Sequence, residues 1–205
     1  MKKTTLIIGI TTLLMNFSVL AQNEPIEFGL KAGLNYSNLI IDDNIPAETN
    51  AKIGFHLGGF LSFKLTDNFR IKPELLFSTQ NAEIEFSENI NMGDPNDPVF
   101  GKRFKADIKQ NLILLPIMAD YYFSENFDLE FGPQFGFVIN QDITDNNNDF
   151  SFGNDDYDKF EVALNVGAGF TFSENYRIGL RYNYGITERD NNKSSVLQFG
   201  LSYKL

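Results

Sequence analysis

FEVALNVGAGFTFSENYRIGLRYNYGI, residues 160–186, carries an apolar side chain at every second position on either side of a short break. Phe160, Val162, Leu164, Val166, Ala168, Phe170 and Phe172 form the first run. After Ser173-Glu174-Asn175 the alternation resumes at Tyr176, Ile178, Leu180, Tyr182, Tyr184 and Ile186. A period of two puts these residues on one face of a β-hairpin. The opposite face is small or charged, with Glu161, Asn165, Gly167 and Gly169 on one strand and Arg177, Gly179, Arg181 and Asn183 on the other. A soluble sheet would cover its apolar face with a second layer. A sheet in lipid turns that face outward and must close on itself, because unpaired edges are too costly in hydrocarbon.

The same pattern recurs along the chain and predicts eight strands. Strand one runs from Glu27 to Ser37, strand two from Lys52 to Leu65, and strand three from Phe69 to Ser78. Strand four, about 107–123, is the least regular, because turning Ile113, Leu115, Ile117 and Tyr121 outward forces Leu114, Pro116 and Met118 inward beside Asp120. Strand five (Phe127 to Asn140) is strict, the opening hairpin supplies strands six and seven, and strand eight runs from Leu197 to Leu205.

The connections fall into two kinds. Thr66-Asp67-Asn68-Phe69, Ser124-Glu125-Asn126-Phe127 and Ser173-Glu174-Asn175-Tyr176 are short and nearly identical, and follow strands two, four and six. Polar loops at about 42–50, 87–103, 143–158 and 188–194 follow strands one, three, five and seven. Short turns on one rim and long loops on the other describe an outer-membrane barrel with both termini at the short-turn end. Phe63, Phe69, Tyr121, Phe123, Phe127, Phe170, Phe172, Tyr176 and Tyr203 gather near that end, as an interfacial aromatic girdle would. The fold expected is therefore all-β, an eight-stranded antiparallel up-and-down transmembrane β-barrel over residues 22–205. A sandwich would leave the glycine- and charge-rich faces in water and need a second sheet over nearly every strand.

Residues 1–21 read as a cleaved signal peptide. Met1-Lys2-Lys3 is basic, Leu6 to Leu20 is largely apolar, and Val19-Leu20-Ala21 suits signal peptidase. The apolar run is short of the roughly 20 residues a membrane helix needs. Losing Lys2 and Lys3 makes the formal charge of −10 more negative by two, which argues against nucleic acid as a partner. With no cysteine, disulfides, thiolate metal sites and lipobox anchoring are excluded, and no cofactor is expected.

Phe28-Gly29-Leu30-Lys31-Ala32-Gly33-Leu34-Asn35-Tyr36-Ser37-Asn38, Leu114-Leu115-Pro116-Ile117, Phe131-Gly132-Pro133 and the ending Phe199-Gly200-Leu201-Ser202-Tyr203-Lys204-Leu205 together resemble the PorT-like outer-membrane β-barrel family of Bacteroidetes-type bacteria. The resemblance spans the mature chain and implies an outer-membrane location. It implies no single activity, since the family is functionally mixed. Such proteins often end in an aromatic residue; here Leu205 takes that place, with Tyr203 two before it.

A barrel of eight strands has an interior that side chains can fill. Parity turns Lys31, Lys52, Lys64, Arg70, Lys72, Arg177, Arg181 and Lys204 inward, with Glu27, Glu74, Asp120, Asp128, Glu130 and Glu161. Buried charges must pair, so a charge network through Lys31, Arg70, Lys72, Glu74, Asp120, Asp128, Glu130, Glu161, Arg177 and Arg181 is expected to plug the lumen. His56, the only histidine, also points inward. No nucleophile and orienting carboxylate can be assigned to it, so the expected role is a hydrogen-bonded lumen residue in a non-enzymatic protein.

The third long loop is acidic, with Asp142, Asp145, Asp149, Asp155, Asp156 and Asp158, and Asp42, Asp43, Asp94 and Asp97 extend the acidity to other loops. Its spacing does not match the twelve-residue calcium loop, so a solvated surface loop is expected. Outer-membrane lipid and lipopolysaccharide, bridged by divalent ions, are the expected surroundings, with other outer-membrane proteins as possible partners. The function expected is structural or loop-mediated binding. The alternatives are an accessory subunit of a secretion or protein-assembly complex, a small channel, or a lipid-modifying enzyme.

Overall fold

The computed structural model describes residues 26–41, 47–90, 100–145, 158–188 and 192–205, and for 86–90, 100–104 and 145 the backbone alone. Eight strands follow in order: β1 (Glu27–Ile41), β2 (Ala47–Lys64), β3 (Phe69–Ile90), β4 (Phe100–Tyr122), β5 (Phe127–Asp145), β6 (Phe160–Ser173), β7 (Tyr176–Gly185) and β8 (Asn192–Lys204). Each pairs antiparallel with its sequence neighbours, and β1 closes on β8 from Gly29↔Lys204 to Ile41↔Asn192. The result is the closed up-and-down barrel that the alternation predicts.

Parity also holds on strand four. Leu112, Leu114 and Met118 are fully buried, and the Leu112 and Leu114 side chains meet Leu76 and Val138 inside the barrel. Ile113, Leu115, Ile117 and Tyr121 are exposed on the outside, among a wall of Phe, Leu, Ile, Val and Tyr. At the short-turn end Phe123 stacks on Phe127, Phe127 meets Phe170, and Tyr176 lies between Phe172 and Tyr203. Such a ring suits the boundary between acyl chains and headgroups.

Four of the expected loops are partly strand. Residues 47–50 belong to β2, 87–90 to β3, 100–103 to β4, 143–145 to β5 and 192–194 to β8. The β3–β4 ladder continues without a shift from Leu76↔Leu114 to Ile90↔Phe100. What changes along it is polarity. Below, Leu75 and Phe77 face lipid; above, Thr79, Asn81, Glu83 and Glu85 take the outer positions, while Ala82 and Ile84 turn inward and pack with Leu39. Ile41, Ala47 and Ile108 complete this small core. The barrel thus carries an extramembrane collar built like a soluble sheet, apolar inside and polar outside, because water has replaced lipid as the outer solvent.

The collar begins at an irregularity in β2. Its ladder to β3 shifts register between Ala51 and His56. Side chains from both faces cover the gap. From outside, Thr79 Oγ1 accepts the Phe55 amide at 2.9 Å and Asn81 Nδ2 donates to the Ile53 carbonyl at 2.8 Å. From inside, Asn35 Nδ2 donates to the Thr79 carbonyl at 2.9 Å, and Ser37 Oγ donates to the Asn81 carbonyl at 2.8 Å. Gly54 lies directly against the Thr79 carbonyl, where a Cβ would collide with backbone. Backbone groups that lose ladder partners in a bulge need such substitutes.

Each short turn is also tied to the next hairpin around the barrel. Asn68 Nδ2 donates to the Tyr122 carbonyl at 2.9 Å while its own carbonyl accepts the Tyr122 amide. Asn126 makes the same two bonds to Thr171, and Asn175 the same two to Lys204. The threefold recurrence of Asn in the turns thereby has one structural cause. A side-chain amide can extend a ladder one step beyond the strand's end.

Candidate functional site

Eight buried charges gather in one cluster inside the lumen, four positive and four negative. Arg181 on β7 is the centre: its Nη1 and Nη2 donate to the two oxygens of Glu74 on β3 at 2.9 and 2.8 Å, and its Nε donates to Glu130 on β5 at 2.6 Å. Lys31 on β1 reaches Glu74 from the other side at 3.1 Å. Arg177 donates through Nε and Nη2 to Asp128 at 2.8 and 2.5 Å, and through Nη2 to Glu130 at 3.0 Å. Lys72 pairs with Asp120 on β4 at 2.6 Å and with Glu130 at 3.4 Å. None of the eight is more than 8% exposed. The cluster is neutral, as burial requires of charges that cannot reach water. β6 makes room for it: a Cβ on Gly169 would overlap the Arg177 guanidinium.

Two of the ten expected network residues stand apart. Arg70 sits at the short-turn mouth, where it pairs with Glu27 at 2.6 Å and lies 4.8 Å from the Tyr122 ring centroid; Lys204 reaches the other oxygen of Glu27 at 3.3 Å. Glu161 is buried near the collar, beside Gly136, on a cavity of about 100 Å³ shared with Gln110, Gln141 and Ser194. Lys52, expected inside by parity, instead pairs with Glu83 at 3.3 Å and Asp107 at 2.5 Å. The register shift in β2 takes it out of the lumen set.

Asp120, Asp128 and Glu130 bring carboxylate oxygens within 4.8 Å of one another. Lys72 and Arg177 already sit on them as counter-charges, so the triad serves as their anchor.

His56 is buried, and its Nδ1 lies 2.8 Å from Asn35 Oδ1. Asn35 Nδ2 donates to the Phe55 and Thr79 carbonyls, so its Oδ1 is the acceptor and the His56 proton resides on Nδ1. Gln198 Nε2 donates to the same oxygen at 3.3 Å. A second polar chain runs from Asn183 through Asn165 to Gln134, at 2.8 and 3.3 Å. Sequence parity places Asn35 inside, but its role as a hub depends on the β2 shift, which no local pattern announces.

Of the acidic-loop residues, Asp142 is exposed and accepts from Asn140 Nδ2 at 2.8 Å, Asp145 ends β5, and Asp158 is exposed ahead of β6. Asp149, Asp155 and Asp156 lie outside the described residues, as do Asp42, Asp43, Asp94, Asp97 and residues 1–21.

A closed antiparallel barrel with an apolar outer wall, an aromatic rim and a polar, ion-paired lumen is an outer-membrane protein. The chain belongs to the family described as "Outer membrane protein beta-barrel domain", whose sequence model matches residues 20–191. No curated protein matches the sequence. Among solved structures the fold is similar to Ail of Yersinia pestis in complex with the heparin analogue sucrose octasulfate, with 16% identity, 89% of this chain and 100% of that one covered, and a TM-score of 0.50. Neisserial surface protein A is similar at 14% identity, 89% and 100% coverage and a TM-score of 0.51. OprG of Pseudomonas aeruginosa is similar at 14% identity, 87% and 95% coverage and a TM-score of 0.52. At these identities the likeness is one of fold. The protein resides in the bacterial outer membrane as a multi-pass barrel.

Proposed function

We propose that this is a non-enzymatic outer-membrane barrel whose lumen is plugged and whose contacts are made through its collar and loops. The neutral cluster around Arg181 carries the first half. It draws on β1, β3, β4, β5 and β7, and its charges are bound to one another rather than free to line a pore. His56 acts here as a structural hydrogen-bond donor. The collar carries the second half, since β1, β2, β3, β4 and β5 continue past the apolar wall as a small folded sheet that is polar on its outer face.

Exposed Asp142 and Asp158 oppose a polyanionic ligand such as the one bound in the Ail structure. They favour divalent-ion bridging to lipopolysaccharide phosphates. Membership of the PorT-like branch, and cleavage after Ala21, belong to the same proposal; mass spectrometry of the native protein would find Gln22 at the N-terminus if cleavage is correct.

Planar-bilayer recording tests the plug. The barrel should give no discrete conductance, and stable unitary steps would overturn it. A mild-detergent pull-down from native membranes, with a tag near Asn191, tests the surface role. Recovery of a stoichiometric partner would shift the function to an accessory subunit of that partner's complex.

A further inference from the structure

Among the described residues the collar is open on one flank. β5 pairs with β4 as far as Asp145↔Ala106, but with β6 only to Phe137↔Phe160. β8 likewise follows β1 to Asn192↔Ile41, while its ladder to β7 stops at Ser195↔Tyr184. Where β6 and β7 end, no described strand stands between β5 and β8. A cavity of about 100 Å³ lies in that interval, with Gln141 and Ile143 from β5 on one side, Asn192 and Ser194 from β8 on the other, and Glu161 and Thr187 below. From Ile139 to Asp145, β5 is therefore an edge strand. Its sequence, Ile-Asn-Gln-Asp-Ile-Thr-Asp, carries none of the prolines or lysines that keep such an edge from pairing.

The ladder below fixes which backbone groups face the opening. In a strand, side-chain direction and amide direction alternate together. Val138 is buried inside and gives its amide to the Lys159 carbonyl, on the β6 side, at 2.8 Å. The ladder to β4 then passes from Leu112↔Val138 to Asn111↔Asn140, so β5 carries one inserted residue and its next inward positions are Gln141 and Ile143. Their amides and carbonyls take the direction of Val138, toward the open flank. Those of Asp142 and Thr144 serve the β4 ladder.

Side chains determine what could lie there. Asp142 is exposed on the outer face with Lys109 beside it on β4, and Asp158 is exposed where the chain returns to β6. Glu161 is buried at the foot of the opening near Lys159, and Lys193 is paired with Glu188 at 3.2 Å. By sequence, the β5–β6 connection adds Asp149, Asp155 and Asp156 and no base. The flank is acidic. On the inner face Ile143, Leu39 and Ile108 give the cavity an apolar wall. A strand laid on this edge sets alternate side chains outward beside Asp142 and inward at the cavity, which favours a base in the first position and an aliphatic residue in the second.

We propose that the β5 edge of the collar takes up an extended segment of a partner protein in which basic and aliphatic residues alternate. The segment adds one strand through the backbone of Gln141 and Ile143. The site gives a partner chemistry to the surface role proposed above and rests on that reading.

The test titrates a capped seven-residue peptide of alternating lysine and valine into the folded full barrel in zwitterionic micelles, with amide hydrogen exchange along β5 as the readout. In the free barrel Gln141 and Ile143 should exchange about tenfold faster, or more, than Asp142 and Thr144. Saturating peptide should slow them by at least about the same factor. A peptide of equal charge with proline at the central valine, which removes an amide donor, should bind about tenfold more weakly, as should a glutamate–valine peptide. Asp142→Lys should narrow the preference for lysine over glutamate. Ile143→Pro should still fold, since that amide serves no described strand, and should lose the peptide. Slow exchange at both amides in the free barrel would mean that the edge is already paired, by the chain itself or by a second copy, and would overturn the proposal. Equal binding of the proline peptide would reduce the effect to surface charge and overturn it too. A partner recovered from native membranes that leaves Gln141 and Ile143 exchanging freely would keep the surface role and remove this site.

Discussion

Arg181 and Glu74 lie 107 positions apart in sequence and face each other across the lumen through two parallel hydrogen bonds of 2.9 and 2.8 Å. The pair ties β7 to β3, which are not neighbours in the barrel wall. Its fork geometry is one that lysine cannot reproduce. Arg181→Met would strand Glu74 and Glu130 with one cation fewer. Breaking a buried pair by removing one partner costs about 3–5 kcal/mol. Urea titration of the folded barrel in lipid vesicles should register that loss, with Arg181→Lys between the two. A midpoint unchanged by Arg181→Met would mean that the cluster contributes nothing to holding the barrel shut.

The turn asparagines make a separate prediction, because Asn68, Asn126 and Asn175 donate to equivalent carbonyls on the adjoining strand. Replacing any one by Ala should cost about 1 kcal/mol, the net worth of an ordinary hydrogen bond. Replacement by Asp should cost no less, since a carboxylate cannot donate to a carbonyl. The three sites are far enough apart for their effects to add. Urea midpoints of the single and triple variants check this, and an Asp variant as stable as the parent would show that the donated bond is unimportant.

In the collar, the hydrogen bond from Lys52 is the chief reason that the Glu83 carboxyl is held below its ordinary value, and Lys105 adds to it. The Lys105 ammonium is held above its ordinary value, first by Glu85 and then by Glu83. A carboxyl held low contributes stability above its unfolded pKa, which is lost as pH falls through the folded value. An ammonium held high contributes below its unfolded pKa and loses this as pH rises through the folded value. Collar order should therefore be constant through neutral pH and decline at both extremes. NMR relaxation of amides 82–85 and 105–108 should show greater mobility near the carboxylate range, with the turn amides at Asn175 as a control. Glu83→Gln should remove most of that acid response. High salt should reproduce part of it, because these groups are exposed to screening.

Most of the membrane-spanning wall was legible because lipid imposes one rule on every strand: apolar outward, anything else inward. Even the awkward inward run at Leu114 and Met118 followed from it. The collar escaped the rule because its outer solvent is water. Ala82 and Ile84 continue the same period as Leu76, yet the polarity of their neighbours inverts at Thr79, so a search for outward apolar residues stops there. Eight of the ten expected lumen charges meet in one cluster, since parity fixes which face a side chain takes. Arg70 and Glu161 lie elsewhere because height along the barrel depends on cross-strand register, which parity does not give. The β2 shift that moves Lys52 outward and makes Asn35 a hub is a property of three strands at once.

Inverted polarity implies that the collar can be unfolded without opening the wall beneath it. Ile84 is 7% exposed and packs with Leu39 and Ala82, well above the Arg181 cluster. Ile84→Asp would bury a carboxylate in this small core with no cation built to receive it, and such a charge is expelled at the expense of the packing. The collar strands should separate, while the β3–β4 ladder below Thr79, held by lipid outside and Leu76, Leu112 and Leu114 inside, stays intact. Two readouts separate the halves. On whole cells, an external protease should cut the β3–β4 connection faster in Ile84→Asp than in the parent. On a gel without boiling, the variant should still migrate as a folded barrel. Glu83→Asp, one residue away on the outer face, should do neither. If Ile84→Asp abolished the folded form altogether, the collar and the wall would be one cooperative unit, and the division at Thr79 would have no energetic meaning.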